Sequence, residues 1–421
     1  MLSEITIKNF KTISKLKLEL GRVNIIIGEN GAGKSNILEA IALAGAANAN
    51  KLDNEFLNSR GIRVTNADLM RPAFEGFSNT TPIEITVASN NSFTAKYSLT
   101  NDNEPYSNWK CESSYSSPNE RPNSADLYIS WLSDFFFNNE IDAQTKLAES
   151  KKLIELFTEA STTVKDPEKL NSLLEIFIKK NHDSPLLNYI GENQVHLNEI
   201  ASILNKFMIF SPENSSLRSF EKEGQIQPLG TNGEGLIKFL YVLSEIENKT
   251  PIDTIKENLK LFGWFDDFSV SHESSRVTLD IRDRFLDEKR NTFDQKSANE
   301  GFLFLAFYFA IFSSPFTPRF FAIDNVDTSL NPKLCQRLIK QLVTLAKNNN
   351  KQVILTTHNP AVLDGLDLGD EEQRLFAVSR GRNGHTKIAR IKKPKSLDGA
   401  PELRLSEMFL RGLIGGLSKG F

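Results

Sequence analysis

Residues 23–36 read Val23-Asn24-Ile25-Ile26-Ile27-Gly28-Glu29-Asn30-Gly31-Ala32-Gly33-Lys34-Ser35-Asn36. Val23 to Ile27 is a nearly continuous apolar run, the pattern of a strand covered on both faces. Gly28 to Ser35 then fills GxxxxGK[ST] at every position, and the following NILEAIALAGA reads as a helix. Strand, loop and helix in that order form the setting of a phosphate-binding loop. Its glycines let backbone N–H groups converge on phosphates, and the helix N-terminus adds a partial positive charge. Lys34 would reach the β- and γ-phosphates, and Ser35 would offer its hydroxyl to Mg²⁺. Asn30, Gly31, Ala32, Gly33 and Asn36 would complete the cradle. A mere Gly-rich turn would explain neither the Lys and Ser after the last Gly nor the apolar strand before it.

A second strand ends in a carboxylate. Phe320-Phe321-Ala322-Ile323 is apolar and Asp324 follows it, as a strand that holds Mg²⁺ through water requires. The next residue is Asn325, where ATPases of this type usually carry Glu to polarise the attacking water. An amide orients a water but does not take its proton, which puts roughly 10²–10⁴-fold of general-base help in doubt. Slow hydrolysis is therefore expected. Asp327, two residues on, is a substitute base or else a surface carboxylate. His358 closes the apolar strand of VILTTH, where it would sense the γ-phosphate or serve only structure.

These motifs, in this order and with the opening ITIKNFKTI, resemble the ABC-type ATPase heads of the RecF, SMC, Rad50 and OLD group. Transporter ATPases, in contrast, usually carry Thr after the phosphate-loop Ser. The resemblance implies an α/β fold: a P-loop ATPase head with a mixed sheet and an inserted helical subdomain. It implies ATP and Mg²⁺ as cofactors, with Ser35 and Asp324 on the metal and Asp324, Asn325, Asp327 and His358 in catalysis. It also implies a signature segment roughly 20–30 residues before the acidic strand. Ser297-Ala298-Asn299-Glu300-Gly301 stands there and is similar to a divergent LSGGQ motif. Ser297 or Asn299 would take the hydroxyl position and Gly301 the glycine position. In the family this segment touches the γ-phosphate held by the partner subunit, so a homodimer or higher oligomer around ATP is implied. The alternative is an ordinary N-capped core helix. VDTSLNP, after Asp324 and Asn325, resembles the D-loop.

Two features depart from the pattern. No Gln precedes Gln144, so no Q-loop residue is assigned; Arg63 and Arg71 are candidates, with surface salt bridges the simpler role for each. Gly230-Thr231-Asn232-Gly233-Glu234-Gly235 lies too far before Asp324 to be the signature and is expected to cap the helix holding Phe239 and Leu240. The nearest flavour is the stand-alone AAA-type ATPases of bacterial anti-phage operons, similar to the ATPase subunit of Septu systems. With no room for a Toprim nuclease after His358, any cutting is expected from a partner effector, a nuclease or toxin. A RecF-like DNA-binding repair ATPase is the other function left open.

The 421 residues are 39% apolar and 24% charged, enough for a core and too apolar for overall disorder. At ~150 residues per domain they predict two or three units, or one large unit with an insertion. The head is expected over 1–125 and 208–421, interrupted by a helical insertion over 126–207 that lacks heptads. Alternation around Ile5, Ile7, Leu16, Leu18 and Leu20 predicts strands, as do IEITVAS and FTAKYSL. Loops are expected from Thr100 to Ala125, a strand over Val277 to Ile281, a buried helix over Phe302 to Phe312 and a helix over Pro332 to Leu345. A strand is expected over Val353 to Thr356, and a hairpin over Phe376 to Ile391 turning at Gly381 to Gly384. Net charge is −3, which excludes a uniformly basic nucleic-acid coat. A local basic surface remains on Arg380, Arg382, Lys387, Arg390, Lys392, Lys393 and Lys395, to meet DNA or RNA phosphates, to dock an acidic partner, or to be a solvated edge. Two distant cysteines, Cys111 and Cys335, supply no disulfide framework, and no apolar run reaches the ~20 residues of a membrane span. A reduced, cytoplasmic setting away from membranes is expected.

Overall fold

A computed structural model describes residues 1–90, 93–116, 144, 148, 151, 200–220, 226–273, 276–393 and 403–415. The chain divides into two compact units, one of 1–87, 97–112 and 202–421, the other of 88–96 and 113–201. Of the insertion read over 126–207, Gln144, Ala148 and Lys151 are helical, as are residues 200–205. Lys206 and Phe207 follow without helical structure, and the remainder of the insertion, including most of the helical pattern of 151–157 and all of that of 170–178, lies outside the described residues.

The first unit is built on a six-stranded mixed sheet in the order β14-β13-β3-β12-β11-β7. Its strands are β3 (Val23–Gly28), β7 (Ile209–Phe210), β11 (Phe320–Ile323), β12 (Gln352–Thr357), β13 (Gln373–Arg380) and β14 (Thr386–Ile391). All neighbours run parallel except the β13–β14 hairpin. The central β3 is buried along its whole length, which is why its sequence is apolar rather than alternating. Its one polar residue, Asn24, is satisfied internally: Nδ2 donates to Gly21 O and Val353 O, and Oδ1 accepts from Gly21 N.

Register sets the layout of the site. Ile27 pairs with Thr357, Ile25 with Leu355, and Leu355 with Ile323, while Gly28 pairs with Val378. The C-terminal ends of β3, β11, β12 and β13 therefore lie along one edge, where ligands meet parallel sheets. A second sheet, in the order β2-β1-β4-β5-β6, comprises β1 (Leu2–Phe10), β2 (Ile13–Glu19), β4 (Ile83–Ser89), β5 (Thr94–Thr100) and β6 (Lys110–Ser116). Strand β6 corrects the expectation of loops from Thr100 onward. Its sequence KCESSYS is polar because it is an edge strand with little apolar surface to bury. A third, antiparallel sheet of β8 (Phe265–Glu273), β9 (Arg276–Asp283) and β10 (Thr292–Asp294) contains the predicted strand over Val277–Ile281.

The helices of this unit include α1 (Lys34–Asn48), α2 (Asn54–Ser59), α3 (Asn214–Leu217), α4 (Leu236–Glu245), α5 (Thr250–Leu259), α6 (Glu300–Ser313), α7 (Pro332–Asn348) and α8 (Leu405–Leu410). Phe302 to Ser313 of α6 is buried on every side, the condition of a helix that is apolar all round. Phe307 meets Phe210 edge-on and Phe312 meets Phe321, with ring centroids 5.8 and 5.2 Å apart. In α7, Asn331 caps the N-terminus, Pro332 opens the first turn, and Cys335, Leu338, Ile339, Leu342 and Leu345 form the buried stripe. Among the described residues, no helix is long and apolar enough to cross a membrane.

Lys351 ties the chain after α6 to the start of β12. Its ammonium is buried and donates to Ser314 O (2.7 Å), Thr317 O (3.0 Å), Thr317 Oγ1 (2.8 Å) and Pro318 O (3.2 Å). Burial, with Arg319 as a lesser cause, pushes its pKa down from 10.5 to about 7. Between these values the unfolded chain holds a proton that the folded chain has released. Stability from this group therefore rises with pH above 7, by up to ~1.4 kcal/mol per unit. Lys351→Met is expected to cost about 2–3 kcal/mol by orphaning buried carbonyls. In urea titrations, the gap between wild type and variant is expected to widen from pH 7 to pH 9.

Candidate nucleotide site

The loop between β3 and α1 has the phosphate-loop form. Gly33 stands at the helix N-cap with φ 106°, and Gly31 has φ 74°, conformations that L side chains rarely adopt. Lys34 is buried, and its ammonium donates back to Gly28 O (2.8 Å) and Glu29 O (3.1 Å). Desolvation lowers its pKa, opposed by the charges of Asp324, Asp327 and Glu29. Ser35 Oγ donates to Asp324 Oδ2 at 3.0 Å. The other carboxylate oxygen accepts from Thr356 Oγ1, and that same hydroxyl accepts from Asn325 N at 2.9 Å. A serine hydroxyl beside a carboxylate is a hard-oxygen pair suited to Mg²⁺, which takes one or two protein oxygens together with phosphates and waters. These two residues would hold the ion, which when bound supplies charge neutralisation for phosphoryl transfer.

Asn325 has φ 55°, in the left-handed region that Asn tolerates better than most residues. Asp327 is half-buried and accepts from Thr357 Oγ1 at 2.6 Å. His358 stands exposed at the rim, with Nδ1 3.5 Å from Lys34 Nζ. Partial desolvation, and next the Lys34 charge, hold its pKa below the ordinary value against Asp327 and Asp324. The fold thus gathers Lys34, Ser35, Asp324, Asn325, Asp327 and His358 at one edge.

The signature candidate lies at the start of α6. Asn299 is its N-cap, with Oδ1 accepting from Phe302 N at 2.8 Å. Ser297 donates to Asp294 Oδ1 at 3.2 Å, and both it and Asn299 are exposed. A Cβ on Gly301 would lie 3.2 Å from Ser329 O, so the first turn of α6 packs closely on the loop between β11 and α7. The two Q-loop candidates take structural roles. Arg63 pairs with buried Glu39 at 2.5 Å, and Lys11 pairs with the same carboxylate. Arg71 is not at the surface and, among the described residues, makes no salt bridge there, contrary to expectation. It is buried, donates to Thr81 O, Ala67 O, Asn103 Oδ1 and Asn101 O, and faces the Trp109 ring. It is the main-chain bracket of the segment around 67–103.

Several contacts escaped sequence reasoning. Thr386 Oγ1 donates to Ala32 O at 2.9 Å and lies 2.7 Å from Thr12 Oγ1, while Arg380 Nε donates to Gly31 O at 3.0 Å. The predicted β13–β14 hairpin is thereby part of the phosphate-loop wall. Its basic residues are also partly spoken for: Arg390 pairs with Glu371 (2.6 Å) and Glu19 (3.6 Å). Arg382, Lys387, Lys392 and Lys393 remain exposed, and Lys395 lies outside the described residues. The Gly230–Gly235 stretch does cap α4, with Gly235 as N-cap.

A family model described as "AAA domain, putative AbiEii toxin, Type IV TA system" matches residues 23–364. The chain belongs to this family. It is an ABC-type ATPase head of the RecF and SMC group, whose members imply a bound nucleotide and usually Mg²⁺. An uncharacterized protein of Methanocaldococcus jannaschii is 38% identical over 116 residues, 26% of this chain and 50% of that protein. The DNA replication and repair protein RecF of Bacillus thuringiensis (strain Al Hakam) is 42% identical over 55 residues, 13% of this chain and 15% of RecF. The chain thus spans half the length of the first relative and far less of the second. The SMC head bound to the C-winged helix domain of ScpA superposes with a TM-score of 0.50 at 15% identity, covering 93% of this chain and 98% of that one. That likeness is one of fold.

A Cβ at Gly33 would stand 2.2 Å from Thr386 Oγ1, on a backbone that costs a non-Gly residue ~1–2 kcal/mol. Gly33→Ala is expected to weaken binding of a fluorescent ATP analogue about tenfold or more. Thr386→Ala in the same chain is expected to recover part of the loss.

Proposed function

We propose that this chain is an ATP-gated dimeric switch that holds or releases a partner effector, a nuclease or toxin, in bacterial anti-phage defence. Two heads sandwich two ATP molecules, each between Lys34 of one subunit and the Asn299–Gly301 turn of the other. The observation that carries the reading is the joined placement of Ser35, Asp324 and Thr356 around a position where Asn325 replaces a base. Binding is pre-built, whereas proton removal from water is left to Asp327 or to solvent. Slow hydrolysis then prolongs the closed state, and a ligand that favours one state shifts the population toward it. The toxin–antitoxin wording of the family description supports an effector context.

Lys34→Ala is expected to abolish ATP binding and ATP-dependent self-association together. Pairing that persists in this variant under analytical ultracentrifugation sinks the sandwich. Asn325→Glu is expected to raise phosphate release by ~10²-fold if a missing base limits turnover. An unchanged rate assigns the limit to another step.

A second reading, a RecF-like clamp whose ATP state controls DNA residence, draws on the RecF segment identity and the exposed Arg382, Lys387, Lys392 and Lys393. It predicts that Arg382→Glu with Lys393→Glu weakens DNA binding and flattens its salt dependence. No DNA binding at low salt, with or without ATP, removes it.

A further inference from the structure

The turn that leads into α6 is held by a side chain distant in sequence. Arg218, the residue that ends α3, donates through one terminal nitrogen to Gln295 O and to Lys296 O (2.8 Å). The other terminal nitrogen donates to Ala298 O (2.9 Å), and Nε donates to Asn214 Oδ1 (2.8 Å). One planar guanidinium thus grips three carbonyls just ahead of the N-cap Asn299. A lysine ammonium, a point charge without the fork, does not reproduce that grip.

The segment that carries Arg218 begins at the acidic strand. Asp324 N donates to Phe210 O at 2.8 Å, and β7 pairs with β11 through Ile209 and Phe210. Beyond β7 the chain is braced by the Gly-rich loop: Ser211 N donates to Thr231 O and Glu213 N to Asn232 O, both at 2.8 Å. Leu217 anchors α3 in the core. A continuous path of main-chain and side-chain contacts therefore runs from the backbone of Asp324 through Phe210 and α3 to the loop before Asn299.

We propose that Arg218 is the positioning residue of the signature loop, and that the segment from Phe210 to Arg218 couples the Asp324 end of the nucleotide site to it. The proposal rests on the sandwich reading above for its functional consequence. A shift of Asp324 on engaging metal and γ-phosphate is carried by main-chain bonds to Phe210, and by the Arg218 fork to the turn that meets the opposite subunit's ATP. The Gly230–Gly235 loop is the brace that keeps this segment from flexing.

The test uses the full chain and the variants Arg218→Ala and Arg218→Lys. Amide exchange without nucleotide probes the clamp itself. Exchange at residues 297–302 is expected to accelerate tenfold or more in Arg218→Ala, and partly so in Arg218→Lys, with α7 unchanged. Unaltered exchange there, or faster exchange throughout the chain, overturns the proposal. With ATP and Mg²⁺, the variants are expected to bind a fluorescent ATP analogue within twofold of wild type. Their ATP-dependent self-association is expected to fall at least tenfold, and kcat to fall with KM unchanged. Variants that pair like wild type overturn the coupling. If wild type itself does not pair, the sandwich reading fails, and the exchange experiment still decides whether Arg218 holds the loop.

Discussion

The parallel register of β3 between β12 and β13 is the constraint on which the site depends. Because Ile27 lies opposite Thr357, and Ile323 opposite Leu355 two residues earlier, three strands end along one edge. Residues more than 280 positions apart, Ser35 and Asp324, are brought to 3.0 Å by that register. Slipping any of these strands by one residue would turn its side chains to the opposite face and move the loop at its end. The largely apolar composition of β3, β11 and β12 resists such a slip only through their neighbours, so the buried polar bonds of Asn24 and Gln352 help define it. Gln352 supplies them by donating to Leu2 O and Gly21 O and accepting from Leu2 N.

Asp324 is a junction of three elements. Its carboxylate is met by Ser35 from α1 and Thr356 from β12, and its backbone N–H by Phe210 from β7. In a partly dry pocket such charge-assisted bonds are stronger than neutral ones. They hold the carboxylate in place before any ligand arrives, which lowers the ordering cost of binding. The same reasoning accounts for Lys34 resting on Gly28 O and Glu29 O. Phosphate oxygens would replace carbonyl oxygens around an ammonium that is already placed.

The hairpin β13–β14 adds a wall on the other side of the loop. Thr386 and Arg380 hold the carbonyls of Ala32 and Gly31, so the loop's shape depends on residues some 350 positions downstream. His385, at the hairpin turn, packs against Phe74 and Phe77 with centroids 4.4 and 5.2 Å away. A surface read for its charges thus has a structural duty as well, which reduces the number of basic groups free to meet a polyanion.

Local pattern in the sequence was enough to determine the phosphate loop, the acidic strand, the apolar helix α6 and the β13–β14 hairpin. Each rests on near-neighbour residues, whose spacing carries its own physical meaning. Edge strand β6 was missed because its polar sequence buries little. The buried Arg71 was misjudged because a charge's environment is not written beside it. Arg218, Thr356 and Thr386 had no local signal: an Arg after a short helix or a Thr in a strand is ordinary until folding aims it at a carbonyl or a carboxylate. Tertiary structure alone made those contacts, since main-chain acceptors are everywhere in a sequence and only packing selects which of them a side chain meets.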